Sequence, residues 1–168
     1  MKRAFYDRSV HDVASDLLGC VLRHGEASGR IVETESYHQE EPACHAHIGL
    51  TPRTHTLFER PGTVYVYRSY GVHALLNAVV EDEGVGAAVL IRAIEPLEGI
   101  EVMRARRGPV PDRELCSGPG KLTEALGIWL DLNATSLLGR GPIQIGPRPG
   151  DYEPAVVIGR RIGITKAV

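Results

Sequence analysis

Three extended segments follow one another in the middle of this chain with only turn residues between them, and this restricts the fold more than any other feature. Gly62 to Tyr70 is rich in tyrosine and valine, Val72 to Val80 is similar, and Ala87 to Ile94 is a third apolar run beyond the break at Gly84 and Gly86. β-Branched and aromatic residues suit the pleated surface of a sheet. Strands separated by turns rather than by crossover helices pair antiparallel. Cys20 to Arg23 and Arg30 to Tyr37, on either side of a turn region at Gly25 and Gly29, read as another hairpin. Ile143 to Ile145 and Ala155 to Ile164 read as further short strands, the latter interrupted by Gly159 and Gly163. Three helices complete the expectation. Ser9 is the N-cap of the first, in which Val10, Val13, Ala14, Leu17 and Leu18 recur at helical spacing before Gly19. The second runs from about Pro96 to Arg107, with the proline in its first turn, and the third from Gly118–Lys121 to about Leu130. The predicted class is α+β and β-rich, with an antiparallel-dominated sheet flanked by helices.

A chain of 168 residues with 43% hydrophobic content fits one globular domain over 1–168, and no repeat, heptad or low-complexity tract divides it. No apolar run approaches the roughly 18 residues of a membrane helix, and no charged-then-apolar leader opens the chain, so the expectation is a soluble intracellular protein without a membrane partner. Cys20, Cys44 and Cys116 are odd in number and widely spaced, which favours buried thiols over a disulfide framework. A net charge of −2 gives no global attraction to a polyanion. The charge is nevertheless uneven: residues 1–84 carry 8 Lys+Arg against 12 Asp+Glu, and residues 85–168 carry 11 against 9. Any grip on phosphate must therefore be local. Arg104, Arg106, Arg107, Arg113 and Lys121 form the densest basic cluster, which also fits a solvated helix face.

Two segments could carry chemistry. In Ile31-Val32-Glu33-Thr34-Glu35-Ser36-Tyr37, the strand period of two puts Glu33, Glu35 and Tyr37 on one face. Either the carboxylates face solvent on an edge strand, or partial burial and mutual repulsion raise the proton affinity of one, as a hydrolytic base requires. In Tyr65-Val66-Tyr67-Arg68-Ser69-Tyr70-Gly71-Val72-His73, three of the six tyrosines surround one hairpin tip. Tyr65 and Tyr67 share a face, while Tyr70 beside Gly71 is placed for exposure, as a wedge for stacked bases would be. Packing in a core is the other reading of these rings.

At these residues the sequence resembles the alkyladenine (3-methyladenine, methylpurine) DNA glycosylase family, over most of its length. The carrying segments are Gly29 to Tyr37, Thr51-Pro52-Arg53, Pro61 to Tyr67, Tyr70-Gly71, Ile91 to Gly99 and Glu114 to Leu122, all in the family's order. The resemblance implies a curved, open-barrel-like sheet with a protruding β-hairpin. It implies a monofunctional enzyme of base excision repair that flips alkylated or deaminated purines (3-methyladenine, 7-methylguanine, hypoxanthine, ethenoadenine) from duplex DNA and hydrolyses the N-glycosidic bond. By the same resemblance Glu35 is the general base, and Arg92 holds that carboxylate and its water. Tyr37, His45 and Tyr67 sandwich the base, Asn77 obstructs the exocyclic amino group of normal guanine, and Leu90 is a pocket wall. Tyr70 enters the minor groove. Arg53, Ser117, Gly118 and Lys121 are candidate contacts to the DNA backbone, the last three because their segment opens a helix whose free N–H groups suit a phosphate or a simple cap. The chain departs from the family pattern in Thr54-His55, where an asparagine usually follows Thr-Pro-Arg, and at Val72, near a common methionine. It also lacks, before Val168, the family's final aromatic and basic strand that helps enclose the attacking water.

No metal, nucleotide or other cofactor is expected. His38-x-Glu40 and Cys44-x-x-His47 resemble fragments of a zinc deaminase site but lack the later Cys-x-x-Cys pair. Gly118-Pro119-Gly120-Lys121-Leu122-Thr123 has Leu115 and Leu122 where a phosphate loop needs glycine and Ser or Thr. Lys2, Lys121 and Lys166 are the only lysines and lie outside the pocket motifs, so an imine-forming lyase lacks a nucleophile. The expected partner is double-stranded DNA containing damaged purines, bound by a monomer, in the nucleoid of a bacterium or the nucleus of a eukaryote. Two other classes predict different behaviour: a non-catalytic reader of damaged DNA, and a nucleoside hydrolase with no need for a duplex.

Overall fold

The structure, a computed structural model, describes residues 1–161. In chain order the elements are α1 (Arg3–Tyr6), α2 (Val10–Leu17), β1 (Val21–His24), β2 (Ala27–His38), β3 (Val64–Ser69), β4 (His73–Val79), β5 (Ala87–Glu98), α3 (Ile100–Arg107), α4 (Pro119–Leu126) and β6 (Ile143–Gly146). Short 3-10 turns lie at His45–Ile48, His55–Phe58, Asp112–Glu114 and Leu130–Leu132. Among the described residues the strands form one sheet in the order β3-β4-β5-β2-β1-β6, every pair antiparallel. The register of β2 against β5 skips Val32 on β2, and Arg92 and Leu97 on β5. Such extra residues bend a strand and increase its twist, and the sheet curls into a half-barrel.

The two faces of this sheet are chemically different because the alternation holds across three strands. Val64 and Val66, Leu76 and Ala78, and Val89 and Ile91 join Val13 and Leu17 of α2 and Leu122 and Leu126 of α4 in the main core. Burying the valine, leucine and isoleucine side chains among them stabilises by about 1.5–3 kcal/mol each. The alternate residues, Tyr65 and Tyr67 on β3, Val79 on β4 and Ala88 on β5, face a smaller cluster completed by Cys44 and Leu57 from the segment between β2 and β3. The helix-covered face carries most of the apolar burial, which leaves the opposite face free to hold polar groups. All three cysteines are buried thiols, as their spacing implied.

Local signals failed in five places. Ser9 occupies the N-cap of α2 but makes no cap bond; the Glu81 carboxylate accepts the Val10 N–H instead, at 2.8 Å, where the positive end of the helix favours an anion. Gly29 lies inside β2, close enough to β5 that a Cβ would meet Ile94 Cδ1 at 2.7 Å, and the turn is made at Gly25-Glu26 alone. Pro96 does not open a helix, because β5 continues to Glu98. Ile94 N–H donates to Cys116 O on the side away from β2, and Pro96, two residues on, faces that same strand-free edge, so its missing N–H costs no ladder bond. The helix starts only after Gly99 (φ 71), and the third helix stops at Leu126 because Gly127 (φ 69) turns left-handed. Of the strand expected over Ala155–Ile164, residues 155–161 are irregular, and 162–164 lie outside the described residues.

Gly86 decides how closely the segment between β2 and β3 seats on the sheet. A Cβ there would meet Ala46 Cβ at 2.4 Å and the Phe58 ring at 2.9 Å. Gly86→Val is therefore expected to destabilise the protein by about 1–3 kcal/mol through overpacking, read as a lower urea midpoint. A variant as stable as the parent would mean that this segment yields freely.

Candidate active site

A cleft of about 580 Å³ opens on the sheet face opposite the main core, with the start of α4 at its edge. Its floor is one cross-strand row: Tyr65 pairs with Asn77, Asn77 with Leu90, and Leu90 with Glu35, on β3, β4, β5 and β2 in turn. The strand period brings Tyr37, Tyr67, Leu75, Ala88 and Arg92 to the same face, two residues from that row. Asn77 is buried, with Nδ2 donating to Tyr65 O at 3.2 Å, which fixes its amide against the floor.

Glu33 and Glu35 do share a face, and a cation lies between them. Arg92 Nε donates to Glu33 Oε1 at 3.1 Å and Nη1 to Glu35 Oε1 at 3.2 Å. Arg92 is one of the two residues of β5 that the register against β2 skips, and bulges re-aim side chains in this way. The Glu35 side chain is 8% exposed and that of Glu33 43%, so Glu35 belongs to the cleft and Glu33 to its outer edge. Tyr37 completes the arrangement, its hydroxyl donating to Glu35 Oε2 at 2.7 Å. Burial, then this bond to a carboxylate, pushes the Tyr37 phenol well above the usual tyrosine range, so it is a donor at neutral pH.

The aromatic wall is built from two directions. Tyr65 and Tyr67 stack with centroids 5.3 Å apart, and the His45 ring meets Tyr67 edge-on at 4.5 Å. His45 comes from the segment after β2 and is tied to Tyr65 by a 3.1 Å contact between Nδ1 and the phenol oxygen. Burial and then the Glu35 charge raise the Tyr67 phenol to about 12. Burial and then the Arg53 charge push the His45 imidazole below its usual value. The unfolded chain thus takes up a proton at His45 before the folded one does, so this residue's contribution to stability is present above about pH 6.5 and is lost as pH falls below it. Urea midpoints should fall between about pH 7 and pH 5 in the parent, and fall less in His45→Gln; equal losses would remove His45 as the cause.

The rim carries the exposed and cationic groups. Tyr70 is 91% exposed at the β3–β4 tip, where Tyr70 (φ 48) and Gly71 (φ 71) both turn left-handed and Val72 N–H closes on Ser69 O; paired left-handed residues match the twist of a hairpin. Arg53, Arg68, His73, Gly118 and Lys121 line the mouth. Ser117 stands behind it, accepting from Lys121 Nζ at 3.3 Å. Lys121, expected outside the pocket, therefore reaches its edge. The basic run on α3 is a structural feature: Arg104 pairs with Asp112 and Glu101, Arg107 with Glu124, and Arg106 donates to Ala125 O. Cys44 is buried under the cleft and His47 Nδ1 lies 3.0 Å from Gln39 O, so this pair is engaged elsewhere.

Tyr65, Leu75 and Ala88 were not singled out as site residues, although each lies two positions from one that was. His73 and Gly120 carried no comparable signal. They meet only because α4 packs on β4, so closely that a Cβ on Gly120 would touch the His73 ring at 2.8 Å. The whole is a cleft walled by aromatic groups and lined by a carboxylate that Tyr37 and Arg92 hold.

Known proteins share this chain's sequence over its length. Residues 4–168 match the model of the methylpurine-DNA glycosylase family. A protein of Bradyrhizobium diazoefficiens is 55% identical over 168 residues, covering 100% of this chain and 82% of its own. One of Methanoculleus marisnigri is 49% identical, covering 98% and 88%, and one of Rubrobacter xylanophilus 53%, covering 90% and 80%. Each carries the name "Putative 3-methyladenine DNA glycosylase".

Proposed function

The chain belongs to the methylpurine-DNA glycosylase family, and from that premise we propose that it is a monofunctional DNA glycosylase that excises alkylated or deaminated purines from duplex DNA. The observation that carries this reading is the buried Glu35 carboxylate, oriented by Tyr37 and Arg92 at the end of an aromatic slot. A purine inside the stack hides its glycosidic carbon, so it must first be extruded, at a cost of a few kcal/mol. Tyr70 at the exposed tip fills the gap that extrusion leaves. Within the slot, stacking on Tyr37, His45 and Tyr67 returns about 1–3 kcal/mol and depends little on base identity, which suits several lesions. Asn77 and Leu90 on the floor set which base edges fit.

Glu35 then takes a proton from water as the water oxygen bonds to C1′, and the electrons of the breaking C–N bond leave with the base. The sugar passes through a cation akin to that of glycoside hydrolysis, which a nearby carboxylate stabilises. A base alkylated at N3 or N7 is already cationic, departs neutral and needs no acid, whereas neutral hypoxanthine departs as an anion unless a basic ring nitrogen such as N7 takes a proton from solvent as the C–N bond breaks. Lys121 at the mouth contacts Ser117 and, at 3.8 Å, Glu114; the nucleophile of this reading is water primed by Glu35 and not an amine. Arg53 and Arg68 supply the local grip that net charge does not.

The test is release of free base from duplexes containing 3-methyladenine or hypoxanthine, with the corresponding free nucleosides alongside. Release from duplex only, with no borohydride-trapped protein–DNA adduct, is the expected result. Binding without release would make the protein a reader of damage, and cleavage of free nucleosides would make it a nucleosidase.

A further inference from the structure

Residues 147–161 have no regular secondary structure, yet they are anchored at both ends. At the near end Arg148 Nε donates to Leu18 O at 2.7 Å, and Nη2 reaches Ser15 O and Asp16 O at 3.3 Å. These are carbonyls at the end of α2, where few helical donors remain; Ser15 O also accepts from the Leu18 N–H. Tyr152 lies under the Arg30 guanidinium, 4.4 Å from its ring centroid, and covers Gly19. Between the anchors, Val157 and Ile158 are exposed. At the far end Arg161 makes three contacts on one short piece of the molecule. Its Nη2 donates to Ser36 O at 2.8 Å, it pairs with Glu41, and its guanidinium carbon stands 4.7 Å from the Tyr37 ring centroid.

The place of this anchor is informative. β1 pairs with β2 only as far as Arg30, and among the described residues no strand lies beside the rest of that edge of β2. Arg161 grips the edge at Ser36, between the carboxylate residue and the tyrosine that orients it. Tyr37 lines the cleft and Arg161 does not, so the guanidinium reaches the ring from outside the slot. A planar guanidinium stacks on an aromatic face and fixes a hydrogen bond at the same time, which an ammonium does not do as well.

We propose that Arg161 is a positioning residue for the reaction, clamping the Tyr37 ring and the Ser36 carbonyl so that the Tyr37 hydroxyl stays on Glu35 Oε2. This rests on Glu35 being the reacting carboxylate. Tyr37 has one face for the base and needs the other restrained; without the clamp the phenol swings and the carboxylate loses a fixed direction.

The test is a double-mutant cycle in single-turnover excision of hypoxanthine from duplex DNA, comparing parent, Arg161→Met, Tyr37→Phe and the double variant. Arg161→Met should slow excision on the order of tenfold, since small misplacements of reacting groups are costly, and change affinity for a duplex bearing an abasic analogue by less than about twofold. In the Tyr37→Phe background the same change should cost less than about twofold, because the hydroxyl it positions is gone. Arg161→Lys, which keeps the charge without the planar face, should fall between parent and Arg161→Met, and it carries the test should the methionine variant not fold. Equal slowing in both backgrounds, or a loss of affinity that matches the loss of rate, would overturn the proposal while leaving the glycosylase reading intact. A parent that releases no base overturns both.

Discussion

Glu35→Gln should slow base release by about 10²–10⁴-fold, the usual contribution of a general base, and leave binding to a lesion-containing duplex nearly unchanged. The amide keeps the volume of the carboxylate and an oxygen for the Tyr37 hydroxyl, but it cannot take the proton of the attacking water. Arg92 retains Glu33, so the variant has no reason to unfold. On the proposed reading binding is distributed over Tyr37, His45, Tyr67 and the rim cations, all of which line the cleft and none of which is altered. Single-turnover excision and equilibrium binding, measured on the same hypoxanthine duplex, separate the two effects. Excision by the variant within about threefold of the parent would dismiss Glu35 as the base, since that is far less than a general base supplies.

Arg92→Met should be the most destabilising change within the site. Removing one partner of a buried pair typically costs about 3–5 kcal/mol, because the remaining charge stays desolvated. Here it would leave Glu35 buried and on the same face as Glu33, without the guanidinium that bridges them. The double variant Arg92→Met with Glu35→Gln should recover most of the loss, because the buried charge is then gone. Urea unfolding of the parent, both single variants and the double variant measures this coupling directly. An Arg92→Met protein within about 1 kcal/mol of the parent would mean that the bridge is not a buried pair in the sense of that comparison. Excision by Arg92→Met should also fall, through loss of the carboxylate's orientation.

Much of the floor of the cleft was legible because strand alternation is a local rule. Glu33, Glu35 and Tyr37 share a face whatever the rest of the chain does, and so do Tyr65 and Tyr67. The same rule, carried two residues further, reaches Leu75 and Ala88. Helix and strand ends were less legible. Pro96 fits the first turn of a helix, yet it also fits a strand edge with no neighbour, and only the loop carrying Cys116 beside β5 selects between them. Likewise Ser9 has the chemistry of a cap, but the turn after β4 brings Glu81 to the same N–H. The arginines of α3 read as a basic patch because their partners, Asp112 and Glu124, lie on other elements.

The sequence by itself determined the antiparallel α+β class, the two-sided character of its strands, and the pairing of Glu35 with Tyr37 on one of them. Each follows from backbone geometry over a few residues, which any stretch of chain carries with it. Tertiary structure alone decided that Arg92 lies between two glutamates, that His45 closes on Tyr65 and Tyr67, and that Arg161 returns from the far end of the chain to Tyr37. Those contacts join residues that are 20 to 124 positions apart. Distance along the chain leaves no periodic trace, so they exist only once the sheet has curled and the intervening segments have packed against it.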